Sequence, residues 1–263
     1  ENAEQAVGRW AAEQMMTQNK TALAQFGISY DQFVSERSDL KDAQYQEVYE
    51  WYNKAGLLHE KDGAIWYGRT EPERVLVRSE GNENVRTLTI DGKEVQRSVT
   101  YLFSDIVYHY NKLVTRSYDR LINILGADHH GYVSALIRTL EDAKLPVEKL
   151  TVLITQLVRI VENGVEVKVS KRKGSIITLG DLVEDVGVDA ARWFFLSRSI
   201  DTHMDFNLTL AREKSKNNPV YYVQYAHARA CAILEKAEGQ GATVTALQLS
   251  SPTETRLMRR ILQ

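Results

Sequence analysis

The spacing of apolar side chains divides the chain into stretches of different period. Over residues 3 to 26, Val7, Trp10, Ala11, Met15, Leu23 and Phe26 recur at roughly helical intervals in a polar segment, which predicts an amphipathic helix. A second helix is predicted over 42–55, carrying Val48, Tyr49, Trp51 and Tyr52, with Gly56 placed to cap its C-terminus. The period then shortens. Residues 64–67, 74–78, 85–90 and 95–100 are β-branched or alternating runs, and Asp91-Gly92 between the last two signals a hairpin turn.

Helical spacing returns at Tyr101 and continues through Leu102, Asp105, Ile106, Tyr110 and Leu113 to about Arg116. An apolar run at 121–125 ending in Gly126, a helical stretch at 131–143 and a second apolar run at 151–155 follow. That order is a βαβ unit, whose parallel strands present ligands at their carboxyl ends. Val158 and Ile160 then oppose Val165 and Val167 across Asn163-Gly164, a tight hairpin that leads into a basic loop. Beyond the loop, 181–186, 188–198 and 219–237 have helical spacing, with Pro219 suited to a first turn, and the region reads as helical almost to the end. Residues 238–250 read as a linker before a last helix bearing Arg256, Arg259 and Arg260. The fold class expected is α/β with parallel strands, followed by an α-helical region.

Composition adds limits to this outline. With 33 basic and 35 acidic residues the net charge is −2, so any nucleic-acid surface must be a local patch. The single cysteine, Cys231, excludes an internal disulfide framework and a cysteine-rich zinc site, and reads as a small core residue in a reducing compartment. No uninterrupted apolar stretch of about 18 residues and no signal-peptide pattern at the first residues is present, so no membrane partner is expected and a cytoplasmic location is.

The segment Lys168-Val169-Ser170-Lys171-Arg172-Lys173-Gly174 carries the most chemistry. Lys168 and Lys171, flanking Ser170, can place ammonium groups round a polyphosphate whose charge shifts during nucleotidyl transfer. A basic loop by itself is more often solvated surface; its place just after a βαβ unit and a hairpin favours the phosphate role. Tyr101 and Asp105 lie four apart on a predicted helix, share a face and can converge on one ligand; core packing and local capping explain the pair equally well. Gly126, Asp128, His129 and His130 fall at the carboxyl end of the first parallel strand, where Asp128 could accept from ribose hydroxyls. A metal site there is not favoured, because neighbouring side chains diverge and no further cluster completes it. One of the two histidines is as readily a core or capping residue. Tyr225 and Arg229, on the helix from Pro219, suit RNA stacking or plain packing in equal measure.

The basic loop resembles the KMSKS signature of class I aminoacyl-tRNA synthetases, with Val169 in place of Met and Arg172 in place of the last Ser. From about Trp10 to Leu234 the chain is similar to bacterial arginyl-tRNA synthetases, notably in the strings at 33–38, 61–66, 74–79 and 101–108 and, above all, 126–131 (Gly-Ala-Asp-His-His-Gly) and 218–229. The resemblance implies the second half of a Rossmann-like catalytic fold. It divides the chain into a partial catalytic domain at 1–217 and the truncated start of a helical anticodon-binding domain at 218–263. Within the first it implies a helical lead-in (1–60), a β-rich insertion (61–100), the Rossmann half with its signature loop (101–180) and a helical stem-contact region (181–217).

The same resemblance implies activation of arginine with ATP and transfer to tRNA(Arg). Arginine would be bound by Tyr101, Asp105 and His129, and ATP by Gly126, Asp128, His130, Gln156 and Leu157. Lys168, Ser170 and Lys171 would be catalytic, and Tyr225 and Arg229 would meet tRNA. ATP with Mg2+ is expected as substrate, without a tightly bound cofactor or resident metal, and a monomer is expected for the intact enzyme. Two departures qualify this. No His-x-Gly-His string, the other class I signature, occurs, and by family order it would precede Glu1, so an incomplete and poorly active fragment is expected. The segment 82–99 is longer than the usual turn. The competing expectation is a non-catalytic RNA-binding or regulatory relative.

Overall fold

A computed structural model describes residues 3–68, 72–167, 177–239 and 251–261. The helix predicted first is α1 (Ala3–Gln25), but its apolar positions are not a buried stripe: Val7, Trp10 and Met15 are 64%, 62% and 56% exposed. Full burial begins just past its end at Phe26, which packs against Phe195 with ring centroids 6.4 Å apart. Periodicity gave the helix correctly and its burial incorrectly, since apolar spacing cannot say whether a partner surface exists.

The helix α2 (Asp42–Lys54) turns Tyr45, Val48, Tyr49 and Tyr52 inward. It ends at Ala55, and Gly56 takes a positive φ of 68°, a conformation in which glycine avoids a Cβ clash. Next come three antiparallel strands, β1 (Leu58–Lys61), β2 (Ala64–Tyr67) and β3 (Arg74–Val77), the first of which the sequence pattern did not reveal. The hairpin β4 (Val85–Ile90) and β5 (Lys93–Ser98) closes through Asp91 and Gly92 at φ 48° and 74°, the primed turn that matches strand twist.

Thr100 caps α3 (Tyr101–Tyr110) by accepting a hydrogen bond from the Phe103 amide at 3.3 Å, and the helix widens into a π-turn over Asn111–Thr115. The βαβ unit is present as expected. Strand β6 (Leu121–Gly126), helix α4 (His130–Asp142) and strand β7 (Leu150–Thr155) follow, the strands pairing in parallel from Leu121↔Leu150 to Gly126↔Thr155. Strands β8 (Val158–Glu162) and β9 (Val165–Glu166) form the expected hairpin through Asn163 and Gly164.

After α5 (Leu179–Val186) and α6 (Val188–Leu196), the region read as wholly helical contains a strand, β10 (Met204–Asn207), lying parallel to β8. Met-Asp-Phe-Asn holds no β-branched residue to mark a strand, yet Met204 and Phe206 alternate inward with Asp205 outward. Helices α7 (Leu208–Arg212), α8 (Pro219–Gly239) and α9 (Pro252–Ile261) complete the described chain. Cys231 on α8 is part-exposed rather than a core residue, with its Sγ 3.7 Å from His227 Nε2. Among the described residues no helix is long and apolar enough to cross a membrane.

Two apolar clusters hold these elements. The larger joins α2, α3, α4 and strands β2 to β4 round Tyr45, Tyr52, Phe103, Ile106, Leu136 and Leu140. Two of its fully buried tyrosines keep their hydroxyls paired: Tyr45 donates to Ser104 Oγ at 2.9 Å and Tyr52 to the Thr139 carbonyl at 2.8 Å, which avoids the cost of stranded polar groups. The smaller surrounds Phe206, flanked by Phe194 and Phe195 with centroids 5.5 and 5.4 Å away. Phe103 is fully buried edge-on to Tyr45. Phe103→Ala is expected to lower unfolding free energy by about 3–5 kcal/mol, read as a shift in urea midpoint at unchanged slope.

Candidate active site

Seven of the ten residues of α3 are buried, which leaves Tyr101, Asp105 and Tyr108 as its one stripe reaching solvent. These positions, four and three apart, are those that a helix stacks on one face. Tyr101 stands at the helix start, 76% exposed, on the rim of a cavity of about 650 Å³ that Glu36, Asn84, Arg86 and Gln96 also line. Core packing therefore does not account for Tyr101.

The cavity wall comes from the β4–β5 hairpin and the segment before α2. Arg86 is buried, donates to the carbonyls of Glu36 at 2.7 Å and Leu40 at 3.0 Å, and lies over the Tyr45 ring at 4.4 Å. Asn84, in the left-handed region at φ 46°, donates through Nδ2 to Glu36 Oε1 at 3.2 Å and Ser104 Oγ at 3.0 Å. The Glu36 carboxylate is thereby held at the cavity that Tyr101 rims. Sequence reasoning quoted the string containing Glu36 and assigned it no part; an acidic residue inside a matched string was the available signal.

Asp105, half-buried, accepts a hydrogen bond at Oδ2 from the Tyr132 hydroxyl of α4. The Tyr132 ring meets His129 edge-on at 6.2 Å, and His129 Nε2 lies 3.9 Å from Asp128 Oδ2. An unbroken line of contacts thus runs from the helix bearing Tyr101 and Asp105 to the carboxyl end of β6. Burial first, then the hydrogen bond and charge of Asp105, push the Tyr132 phenol pKa well up, so Tyr132 stays a donor. At Gly126 a Cβ would sit 2.6 Å from Asp128 Oδ1, so glycine leaves room for that carboxylate to fold back over the strand end. His130 opens α4 and is exposed.

Gln156 and Leu157 follow Thr155, the register partner of Gly126, and so lie at the same carboxyl edge. Leu157 is 67% exposed, and the Gln156 amide donates to the Ile200 carbonyl at 2.9 Å. Lys168, Ser170 and Lys171 lie outside the described residues, between β9 and α5. Tyr225 and Arg229 are on α8, which packs on α6 and is not part of the α3–α4 cluster; Arg229 lies over the Tyr225 ring at 5.8 Å, and both are exposed.

Behind the stripe, His109 is buried with Nδ1 2.7 Å from the Asp105 carbonyl and Nε2 2.7 Å from Asn123 Nδ2 of β6. These contacts assign the proton to Nδ1, which donates to the carbonyl, while Nε2 accepts from the amide. Asn123 Oδ1 in turn accepts from Lys112 Nζ at 3.4 Å, and Lys112 lies over the Tyr108 ring at 4.3 Å. Burial, and then the Lys112 charge, lower the His109 pKa to about 4. Burial brings Lys112 down to about 8, with Asp105 opposing and Arg116 assisting.

An arginine–tRNA ligase from Symbiobacterium thermophilum is 42% identical over 263 residues, covering 96% of this chain and 44% of that protein. One from Carboxydothermus hydrogenoformans is 41% identical, covering 98% and 45% respectively. A Campylobacter jejuni structure described as an arginyl-tRNA synthetase superposes with a TM-score of 0.80 at 32% identity, over 98% of this chain and 54% of that one. The chain is a homologue of the arginyl-tRNA synthetases. It spans about half the length of the relatives it matches. Thermus thermophilus arginyl-tRNA synthetase, at 17% identity and a TM-score of 0.65, shares the fold over 94% of this chain. No protein-family model matches the chain. The α/β class with a parallel strand pair and following helices is thus the fold of these synthetases over the matched part.

The buried imidazole makes stability depend on pH. The unfolded chain protonates His109 below about pH 6.5, whereas the folded chain resists until about pH 4. Its contribution is intact above that window and is lost as pH falls through it, at no more than about 1.4 kcal/mol per pH unit. His109→Gln is expected to flatten this dependence in urea unfolding at pH 7 and pH 5; equal slopes in the two proteins would remove His109 as the cause.

Proposed function

We propose that this chain supplies the arginine-selecting and ribose-binding part of an arginine–tRNA ligase, together with its phosphate-binding loop. The observation that carries the reading is the line Asp105–Tyr132–His129–Asp128, which joins a guanidinium-compatible carboxylate to the nucleotide end of a parallel strand. Asp105, Tyr101 and the Glu36 carboxylate receive the arginine side chain, a planar cation that paired oxygens can hold. His129, which stands between Tyr132 and Asp128, contributes to the arginine site. Gly126 and Asp128 hold the ribose, with His130 beside them, and Gln156 and Leu157 wall the adenine at the neighbouring strand end.

In the first step a carboxylate oxygen of arginine attacks the α-phosphorus of ATP, the bond to the bridging oxygen breaks, and pyrophosphate leaves as its magnesium complex. A terminal ribose hydroxyl of tRNA(Arg) then attacks the activated carbonyl, and AMP departs. No enzyme nucleophile takes part, so rate depends on orientation and on charge stabilisation, which Lys168, Ser170 and Lys171 provide at the phosphates. Residues 1–217 form the catalytic part and 218–263 the start of the helical RNA-binding part, where Tyr225 and Arg229 meet tRNA. The reaction takes place in the cytoplasm, where ATP, arginine and tRNA are found, and the intact enzyme works as a monomer.

Two measurements test this. Lys171→Ala, in a complete enzyme containing these residues, should lower arginine-dependent ATP–pyrophosphate exchange by about 100-fold or more with the fold retained; unchanged exchange removes the loop from the mechanism. Gly126→Ala should displace the exposed Asp128 side chain without changing the melting temperature, and weaken ATP binding by about tenfold. Undiminished ATP affinity would detach Gly126 and Asp128 from the nucleotide.

A further inference from the structure

Asp105 and Tyr101 are positions where a ligand can be met, but what orients the Asp105 carboxylate is a residue from another element. Tyr132 stands on the first turn of α4, the helix that begins where β6 ends, and its hydroxyl is donated to Oδ2 of Asp105. Among the described residues no other hydrogen bond reaches either oxygen of that carboxylate. The phenol is fixed in turn: its ring is half-buried and braced edge-on by His129, and Tyr132 packs against the large core cluster.

We propose that Tyr132 is a positioning residue that sets the plane of the Asp105 carboxylate and so makes the site prefer a guanidinium over an ammonium. The proposal rests on the reading of this site as an arginine site. Its physical basis is a difference between two cations. A guanidinium is a flat fork whose two parallel N–H donors need both carboxylate oxygens in one plane at one orientation. An ammonium is a compact charge with three rotatable donors, and it meets a carboxylate in any plane. A carboxylate free to rotate about its Cβ–Cγ bond therefore loses affinity for the fork far more than for the point charge. Tyr132 removes that rotation while leaving Oδ1 and the second lone pair of Oδ2 open to ligand. The same hydroxyl also links discrimination to the nucleotide end, because α4 starts at the turn that holds Asp128.

The test is calorimetric titration of the 263-residue chain and its Tyr132→Phe variant with arginine and, separately, with lysine. Phenylalanine keeps the ring and its contact with His129 and removes only the hydroxyl. The expected result is a rise of about tenfold in the arginine Kd, equivalent to one lost charge-assisted hydrogen bond, against a change of less than about threefold for lysine, so that arginine–lysine discrimination falls. Equal losses for both ligands would reduce Tyr132 to a structural role and overturn the proposal while leaving the arginine site standing. Absence of saturable arginine binding by the unaltered chain would overturn the arginine reading and this inference with it. A second measurement covers a variant that fails to fold. In the unaltered chain carrying 13Cζ-labelled tyrosine, saturating arginine should shift the Tyr132 resonance and lysine should shift it less; an unmoved resonance with arginine refutes the role.

Discussion

A carboxylate on a helix keeps one orientation only if the helix cannot roll or slide, and in this chain that constraint falls on α3. Phe103, Ile106 and Val107 are fully buried beneath it. At its start the Thr100 hydroxyl donates to the Val75 carbonyl at 3.0 Å and caps the first turn, which ties α3 to the antiparallel strands. Toward its end the imidazole of His109 bridges the Asp105 carbonyl to Asn123, which ties it to the parallel pair. The π-turn after Tyr110 places Lys112 against Asn123, so the last polar atoms of this junction are also paired. Asp105 is therefore held between two sheets by contacts that do not involve its own carboxylate.

The longer segment at 82–99 has a physical part in this arrangement. Its hairpin carries Arg86, a buried cation whose Nε has no hydrogen-bond partner among the described residues, and such burial is costly without compensation. The compensation is local: two carbonyls of the segment at 36–40, Asp42 at 3.7 Å and the face of Tyr45. Those same contacts fix the backbone that presents Glu36. Asn84 extends the tie to Ser104 on α3, so the hairpin is a wall of the candidate site as well as an insertion.

Most of the elements were legible because local chemistry specified them. Asp91-Gly92 and Asn163-Gly164 supply the positive φ angles that two-residue hairpins need, Gly56 follows the end of α2 at a positive φ, and the apolar runs on either side of α4 mark the parallel strands. The failures share a cause. β1 (Leu-His-Glu-Lys) and β10 (Met-Asp-Phe-Asn) hold no β-branched residue to mark them as strands, and β10 owes its strand form to pairing with β8 from 46 positions earlier. The exposure of α1 and of Cys231 was likewise invisible, because burial belongs to a partner surface rather than to a residue.

By itself the sequence determined most of the helices and strands, the turn geometries, the βαβ unit and where along them Tyr101, Asp105, Gly126, Asp128 and His129 stand. It did so because propensity, period and motif act over a few neighbouring positions. Only the tertiary structure decided that Tyr132 reaches across from α4 to Asp105, that Glu36 joins Tyr101 at one cavity, and that His109 is neutral and shared with Asn123. Those contacts span 14 to about 65 positions of chain, and they exist because packing on a common core brings separate elements within hydrogen-bond range, a condition that no local pattern encodes.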